Sequence, residues 1–205
     1  MPHRRTILVS TAASLLAAAG WPARPAHAQS ALQHATSFIK DVGDQLVAVV
    51  NSSQPDAQKR NQLTQIIDGA VDVDAVAKFC LGRFWRSASS QQQQNYTTLF
   101  HQVLVNNITS KLGEYRGVSF VMGKAQMRDE DAVVSTVVNR PNNPPTNVDW
   151  IVTHPVSTPK IIDVVAEGTS LRLTQRQDYA SYLSHNNDSI DALINAMRQQ
   201  VAQAG

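Results

Sequence analysis

The chain has 205 residues, 42% hydrophobic and 17% charged, with 18 Lys and Arg against 16 Asp and Glu. That balance fits a globular chain with one sizeable core and excludes a disordered or fibrous one. Without a Lys/Arg cluster there is no phosphate-neutralising surface for nucleic acid, and the single cysteine, Cys80, excludes an internal disulfide.

The first residues, Met1-Pro2-His3-Arg4-Arg5, are basic and lead into an uncharged run from Ile7 to Ala19. The run is too short to span a bilayer and is followed by Ala26-His27-Ala28, with small residues where a signal peptidase reads. This pattern predicts a cleaved signal peptide over 1–28 and a single mature domain over 29–205, delivered to the periplasm. Arg4-Arg5 suits the twin-arginine route as well as the general secretory one. Cleavage removes Arg4, Arg5 and Arg24 and no acid, leaving 15 basic against 16 acidic residues.

From Ser30 to Val50, Leu32, Ala35, Phe38, Ile39, Val42 and Leu46 recur at three- and four-residue spacing, which predicts an amphipathic helix. Asn51 to Asp56 breaks it, and a second helix carries Leu63, Ile66, Ile67 and Ala70 on one face. Asp72 or Asp74 can cap a shorter helix that reaches Leu81-Gly82. Cys80 lies in its apolar stretch, far from the cleavage site, and reads as a buried, inert thiol. Ser89, with Gln92 as a capping-box partner, opens the longest helix, whose stripe runs through Tyr96, Leu99, Phe100, Val103, Leu104, Ile108 and Leu112 to Tyr115.

After Gly117 the period changes to about two, and residues 118–128, 132–140, 147–155 and 160–173 read as four strands of an antiparallel meander. Val148, Trp150 and Val152 share one face of the third. Gly168 falls inside the fourth, where glycine marks a bulge or bend. Two helices close the chain between Gln175 and Ala204, the second capped by Asp188 or Ser189. Helices, then strands, then helices make an α+β domain: a strongly bent antiparallel sheet of about four strands with helices over its concave face.

Motifs for common hydrolase, metal and nucleotide chemistry are absent: Gly-x-Ser-x-Gly, His-Glu-x-x-His, Cys-x-x-Cys and a phosphate-cradling glycine loop. His34, His101, His154 and His185 have no second ligand at suitable spacing, so no metal site is expected. An acid/base pair could be assembled from Asp149 or Asp163 with Tyr96 or Tyr115. Each carboxylate, however, alternates out of phase with an apolar face and reads as exposed.

Phe79-Cys80-Leu81-Gly82-Arg83-Phe84-Trp85-Arg86, followed by Ser89 and Gln92, resembles the MlaC family of periplasmic lipid shuttles, also called toluene-tolerance or organic-solvent-resistance proteins. That family carries Leu-Gly-Arg-(Tyr/Phe)-Trp-Arg ahead of a helix opening with an uncharged cap and a glutamine, and Phe100 and Leu104 match its next positions. A second likeness is Val148-Asp149-Trp150 followed by Asp163-Val164-Val165-Ala166-Glu167-Gly168-Thr169-Ser170, similar to the family's Asp-Val-x-x-Glu-Gly-x-Ser. Leu193-Ile194 continue it in the last helix. Cys80, where an aliphatic residue is usual, and the Pro/Asn-rich loop 141–147 depart from the pattern.

The resemblance implies a cone-like fold similar to nuclear transport factor 2, with an apolar cavity for acyl chains and neither cofactor nor catalysis. Phospholipid is the implied cargo, carried between an outer-membrane lipoprotein-porin complex and an inner-membrane ABC transporter with a ring-forming substrate-binding subunit, in the service of outer-membrane lipid asymmetry. A hopanoid-type lipid is the alternative cargo, and a small cavity enzyme, an isomerase or dehydratase, is the rival on the same fold. The candidate lining from the helices is Leu81, Phe84, Trp85, Leu99, Phe100 and Val103, and from the sheet Phe120, Val148, Trp150 and Val152. Leu81 and Trp85 carry a second reading as ordinary core, and Arg83 and Arg86 as either headgroup contacts or packing residues.

Overall fold

The computed structural model describes residues 24–204. The basic start and apolar run of the expected signal peptide lie outside the described residues. Helix α1 (Arg24–Asn51) contains the Ala28–Gln29 junction, so a chain beginning at Gln29 keeps the whole buried stripe from Ala31 onward. Helix α2 (Asp56–Ala70) is tied to the end of α1 by Lys59, a buried side chain whose Nζ donates to the Val50 carbonyl at 3.0 Å. That carbonyl belongs to the last turn of α1, where acceptors lack intrahelical partners.

Helix α3 (Val73–Leu81) is capped by Asp72, which accepts from the Ala75 amide at 3.0 Å, and stops at Gly82, whose φ of +59° favours glycine. A 3-10 turn over Gly82–Arg86 leads into α4 (Ser90–Thr109), where Ser89 and Gln92 form the expected capping box. The stripe does not continue to Tyr115: α4 ends at Thr109 and a 3-10 turn spans Leu112–Tyr115. Thr109 and Ser110 direct their hydroxyls to the carbonyls of Val105 and Asn107, and Ile108 and Tyr115 are exposed. With side chains competing for helix acceptors and no apolar face to bury, the last turn has little to hold it.

The sheet is antiparallel in chain order: β1 (Ser119–Arg128), β2 (Asp131–Asn139), β3 (Thr146–Thr153), β4 (Lys160–Ala166) and β5 (Thr169–Ser170). The expected strand 160–173 is thus three elements. Glu167 (φ 47°) and Gly168 (φ 79°) make a two-residue hairpin turn with both φ positive, β5 pairs back on β4, and α5 (Leu171–His185) begins at once. Gly168 therefore turns the chain rather than bulging a strand. Register shifts fall instead between Met122 and Ala125 and between Ile151 and Val152, and such bulges bend a strand. Helix α6 (Ile190–Ala204) opens at Ser189, whose Oγ accepts from the Ala192 amide.

Cross-strand pairs share a face, so Ala132, Val134 and Thr136 lie beside Val152, Trp150 and Val148. Helices α1 and α2 cover this face. Ala35, Ile39, Val42 and Ala70 pack on Ala132, Val134, Val152 and Ile161. A second core lies among α3, α4, α5 and α6, with α3 and α5 also touching β4.

Candidate functional site

Of the ten candidate lining residues, six belong to the helical core and four lie on the sheet side, two of these, Trp150 and Val152, within its cluster. Leu81, Phe84, Leu99, Phe100 and Val103 are buried in the helical core, and Trp85 packs against it. The aromatic rings there interlock: Tyr96 lies 6.5 Å from Trp85, 5.9 Å from Phe100 and 6.1 Å from Tyr179, in edge-on or tilted arrangements favoured by ring quadrupoles. On the sheet side, Val152 is fully buried under the helices and Trp150 packs on the same cluster, its indole N–H donating to Thr136 Oγ1 at 2.9 Å. Val148 is buried on the same face, and the Phe120 ring lies against Gly43 of α1.

Of the acid/base candidates, Asp163, Asp149 and Tyr96 are engaged in structural bonds, while Tyr115 is exposed with the Arg140 guanidinium 5.1 Å over its ring. Asp163 is buried, contrary to the expectation of exposure. Its Oδ1 accepts from the amides of Val164 (2.8 Å) and Arg172 (3.2 Å), and its Oδ2 accepts from Ser170 Oγ at 2.6 Å. Arg172 Nε stands 3.4 Å from Oδ2, and Ser170 Oγ in turn accepts from the Leu173 amide. Local alternation could not reveal this burial, because the covering groups come from α5. Glu167 accepts from the Asn147 amide, while Asn147 returns its carbonyl to the Glu167 amide at 3.0 Å. The run from Asp163 through Glu167-Gly168 to Ser170 is thus a corner that fixes β4 to β3 and starts α5.

Asp149 accepts from Ser135 Oγ at 2.6 Å, and Tyr96, fully buried, donates its hydroxyl to the Ala77 carbonyl at 2.9 Å. Burial, with Tyr179 close by, raises the Tyr96 hydroxyl well above the ordinary phenol range. Burial also pushes the Cys80 thiol up to about 12, with Arg172 partly opposing, and the thiol donates to the Arg172 carbonyl. Such a thiol is a poor nucleophile. Among the described residues no group of three or more His, Cys, Asp or Glu is placed to hold a metal ion.

The conspicuous cations pack on rings. The Arg172 and Arg176 guanidinium groups both lie over Phe79, at 4.4 and 4.9 Å, and Arg83 lies over Phe84 at 4.7 Å with Asp188 3.8 Å away.

Two depressions flank the first half of α1. One, of about 620 Å³, runs along Leu32, Gln33 and Thr36, and the other, of about 300 Å³, lies between Ala31, Met127 and Val156. Both adjoin the sheet-side layer, not the helical core.

The family model described as MlaC protein matches residues 40–199, from the middle of α1 to the last turns of α6. The chain belongs to the MlaC family. A solved structure of a phospholipid-binding protein from Ralstonia solanacearum, in complex with a phospholipid, is similar with a TM-score of 0.71 at 23% identity. The match covers 83% of this chain and 98% of that one, and at this identity establishes a common fold. Within this MlaC-family fold, sequence reasoning missed Ala132, Val134 and Ile161 as partners in the cluster of Val152, and the near-continuous apolar run of β2, buried at three successive positions, gave no single face to read. It also passed over Gly43, an isolated glycine inside a helical pattern, which is itself a sign of close packing. Among the described residues no helix is long and apolar enough to cross a membrane.

Proposed function

We propose that this MlaC-family protein is a periplasmic carrier that holds phospholipid acyl chains between the α1–α2 layer and the inner face of the sheet. The observation that carries the reading is the make-up of that layer. Its fully buried members are small or β-branched aliphatics, while Phe38, Leu46, Met122, Met127 and Trp150 form a half-buried apolar rim. Such surfaces can part and close again around a chain. The relative from Ralstonia solanacearum, described as phospholipid-binding, supports the same cargo.

A two-chain lipid with roughly 30 methylenes would cost about 24 kcal/mol if fully exposed to water, at about 0.8 kcal/mol per methylene. A carrier must replace that apolar environment, and docking directly to the donor avoids the aqueous barrier. The outer-membrane lipoprotein-porin complex and the inner-membrane ABC transporter with its ring-forming subunit are the proposed docking partners. Cleavage after Ala28 is the proposed route to the periplasm, and maintenance of outer-membrane lipid asymmetry the proposed role. The bonds of Asp163, Asp149 and Tyr96 described above favour binding over catalysis.

Native mass spectrometry of protein prepared from the periplasm without detergent tests the reading. A mass shift of about one phospholipid per chain, on a polypeptide beginning at Gln29, is the expected result. A sharp lipid-free mass with no lipid in the organic extract overturns it.

A further inference from the structure

The long edge of the sheet-side layer has a seam, and its residues point to how a chain enters. Helix α1 runs antiparallel along β1. At one end Asn51 donates from Nδ2 to the Val118 carbonyl at 3.0 Å and accepts the Gly117 amide at 2.7 Å. Nearer that end than the other, the Phe120 ring lies on Gly43, and at the far end Ala28 and Ala31 share a depression with Met127. At about 1.5 Å per helical residue, Ala28 to Asn51 spans about 34 Å. Gly117 to Met127 spans a similar length at about 3.4 Å per strand residue. The seam is thus longer than one leaflet of hydrocarbon, about 15 Å, half of a typical ~30 Å bilayer core.

β1 is the edge strand, hydrogen-bonded on one side only. Its inward residues Phe120, Met122, Ala125 and Met127 are half-buried, whereas their β2 neighbours Ala132, Val134 and Thr136 are buried. Unlike β2, β3 and β4, β1 has no fully buried residue, and two adaptable methionines lie in this wall. The opposite boundary of α1 is pinned through Lys59 and the Val50 carbonyl.

One contact closes the wall about a third of the way from its Asn51 end. A Cβ placed on Gly43 would stand 2.5 Å from Phe120 Cζ and 2.8 Å from Cε1. A glycine within a helix sacrifices about 1 kcal/mol against alanine, so close approach of the ring is the physical gain that offsets it. We propose that the α1–β1 seam is the portal for acyl chains, and that Phe120 seated on Gly43 is its latch. This rests on the carrier reading above, and it assigns the entry route and the two positioning residues that nothing in the family match specifies.

The test uses the mature protein loaded with a phospholipid bearing a fluorescent acyl chain, with transfer timed into neutral phosphatidylcholine vesicles. Gly43→Ala and Phe120→Leu each weaken the seating and should speed transfer about fivefold, the factor corresponding to roughly 1 kcal/mol. The double variant, in which the shorter side chain makes room for the new Cβ, should return toward the wild-type rate, a non-additivity expected of direct contact. Hydrogen exchange read without lipid should show lost protection in residues 36–47 of Gly43→Ala while α4 is unchanged. Equal transfer rates in wild type and both single variants, or additive effects in the double, overturn the latch. If the wild type takes up no lipid, the carrier reading fails, and the exchange measurement alone decides whether the seam is latched.

Discussion

The helical core and the sheet-side layer are built of different material. Among α3 to α6 the interior holds Phe84, Tyr96, Phe100 and Tyr179, with rings at fixed angles and the Tyr96 hydroxyl committed to a carbonyl. Beneath α1 the buried members are alanine, valine and isoleucine, and the larger side chains stand half-exposed around them. Rings that interlock have one good arrangement, whereas aliphatic surfaces meeting across a shallow layer can separate at modest cost and accept another hydrocarbon in its place. On the carrier reading, burial alone does not mark the proposed lipid site. Leu81 and Val152 are both buried, yet only the second lies in a layer with an open edge.

The comparison breaks most visibly at Phe100. Phe100→Ala removes a ring from the interlocked core and should cost about 3 to 5 kcal/mol in denaturant unfolding, with lipid per folded chain unchanged. Loss of lipid at full stability would instead make the helical core the binding site. Val152→Trp probes the other side. A close-packed interior would lose about 1 to 3 kcal/mol on accepting the indole. If α1 gives way, lipid-stripped protein should lose less than that while lipid content before stripping falls sharply. Both proteins must be stripped before comparison, because bound lipid itself stabilises.

A smaller effect should follow at the corner joining the two regions. Ser170→Ala removes the cap of α5 and one ligand of Asp163, and should cost about 1 to 2 kcal/mol in thermal or denaturant unfolding. A change of only a few tenths would mean that Arg172 and the Glu167–Asn147 pair hold the corner without Ser170. The mildest probe is alkaline pH. The folded Cys80 thiol ionises at about 12 against an ordinary 9.0, and burial raises the hydroxyls of Tyr96 and Tyr179 as well. As pH rises above about 9, the unfolded chain releases protons that the folded chain retains, so stability present below that pH is progressively lost. The denaturant midpoint should fall between about pH 8 and about pH 11, and Cys80 should resist thiol reagents until the chain unfolds. A flat midpoint would mean that the helical core is open to water.

What could be read from the sequence followed the range of the interactions involved. The Asp72 cap, the Ser89–Gln92 box and the α1 stripe are local and appear as anticipated. Leu171-Arg172-Leu173 alternates like a strand, yet it forms the first turn of α5 because Asp163, nine residues before Arg172 in the motif corner, gathers Ser170 and the Arg172 amide. The two leucines are accordingly exposed. The end of α4 depended on whether anything covered Ile108 and Tyr115, which periodicity cannot report. Of the candidate lining, Val148, Trp150 and Val152 do share a face, as strand alternation required. The division of the ten residues between the helical core and the sheet side is a matter of tertiary packing that no local pattern reports.

β1, an outer strand, is broken by a bulge between Met122 and Ala125. An outer strand with unpaired amides and carbonyls is a template on which a second copy of a chain can add, the first step toward aggregates. Here the ladder is interrupted between Met122 and Ala125, leaving only four paired residues on either side, shorter than the usual strand of about five or six. Gly123 can sit there because a Cβ would come within 3.0 Å of the Ser135 carbonyl oxygen, and the exposed Lys124 adds a charge at the break. The same irregularity that bends the sheet therefore makes the free edge a poorer template for a second copy of the chain.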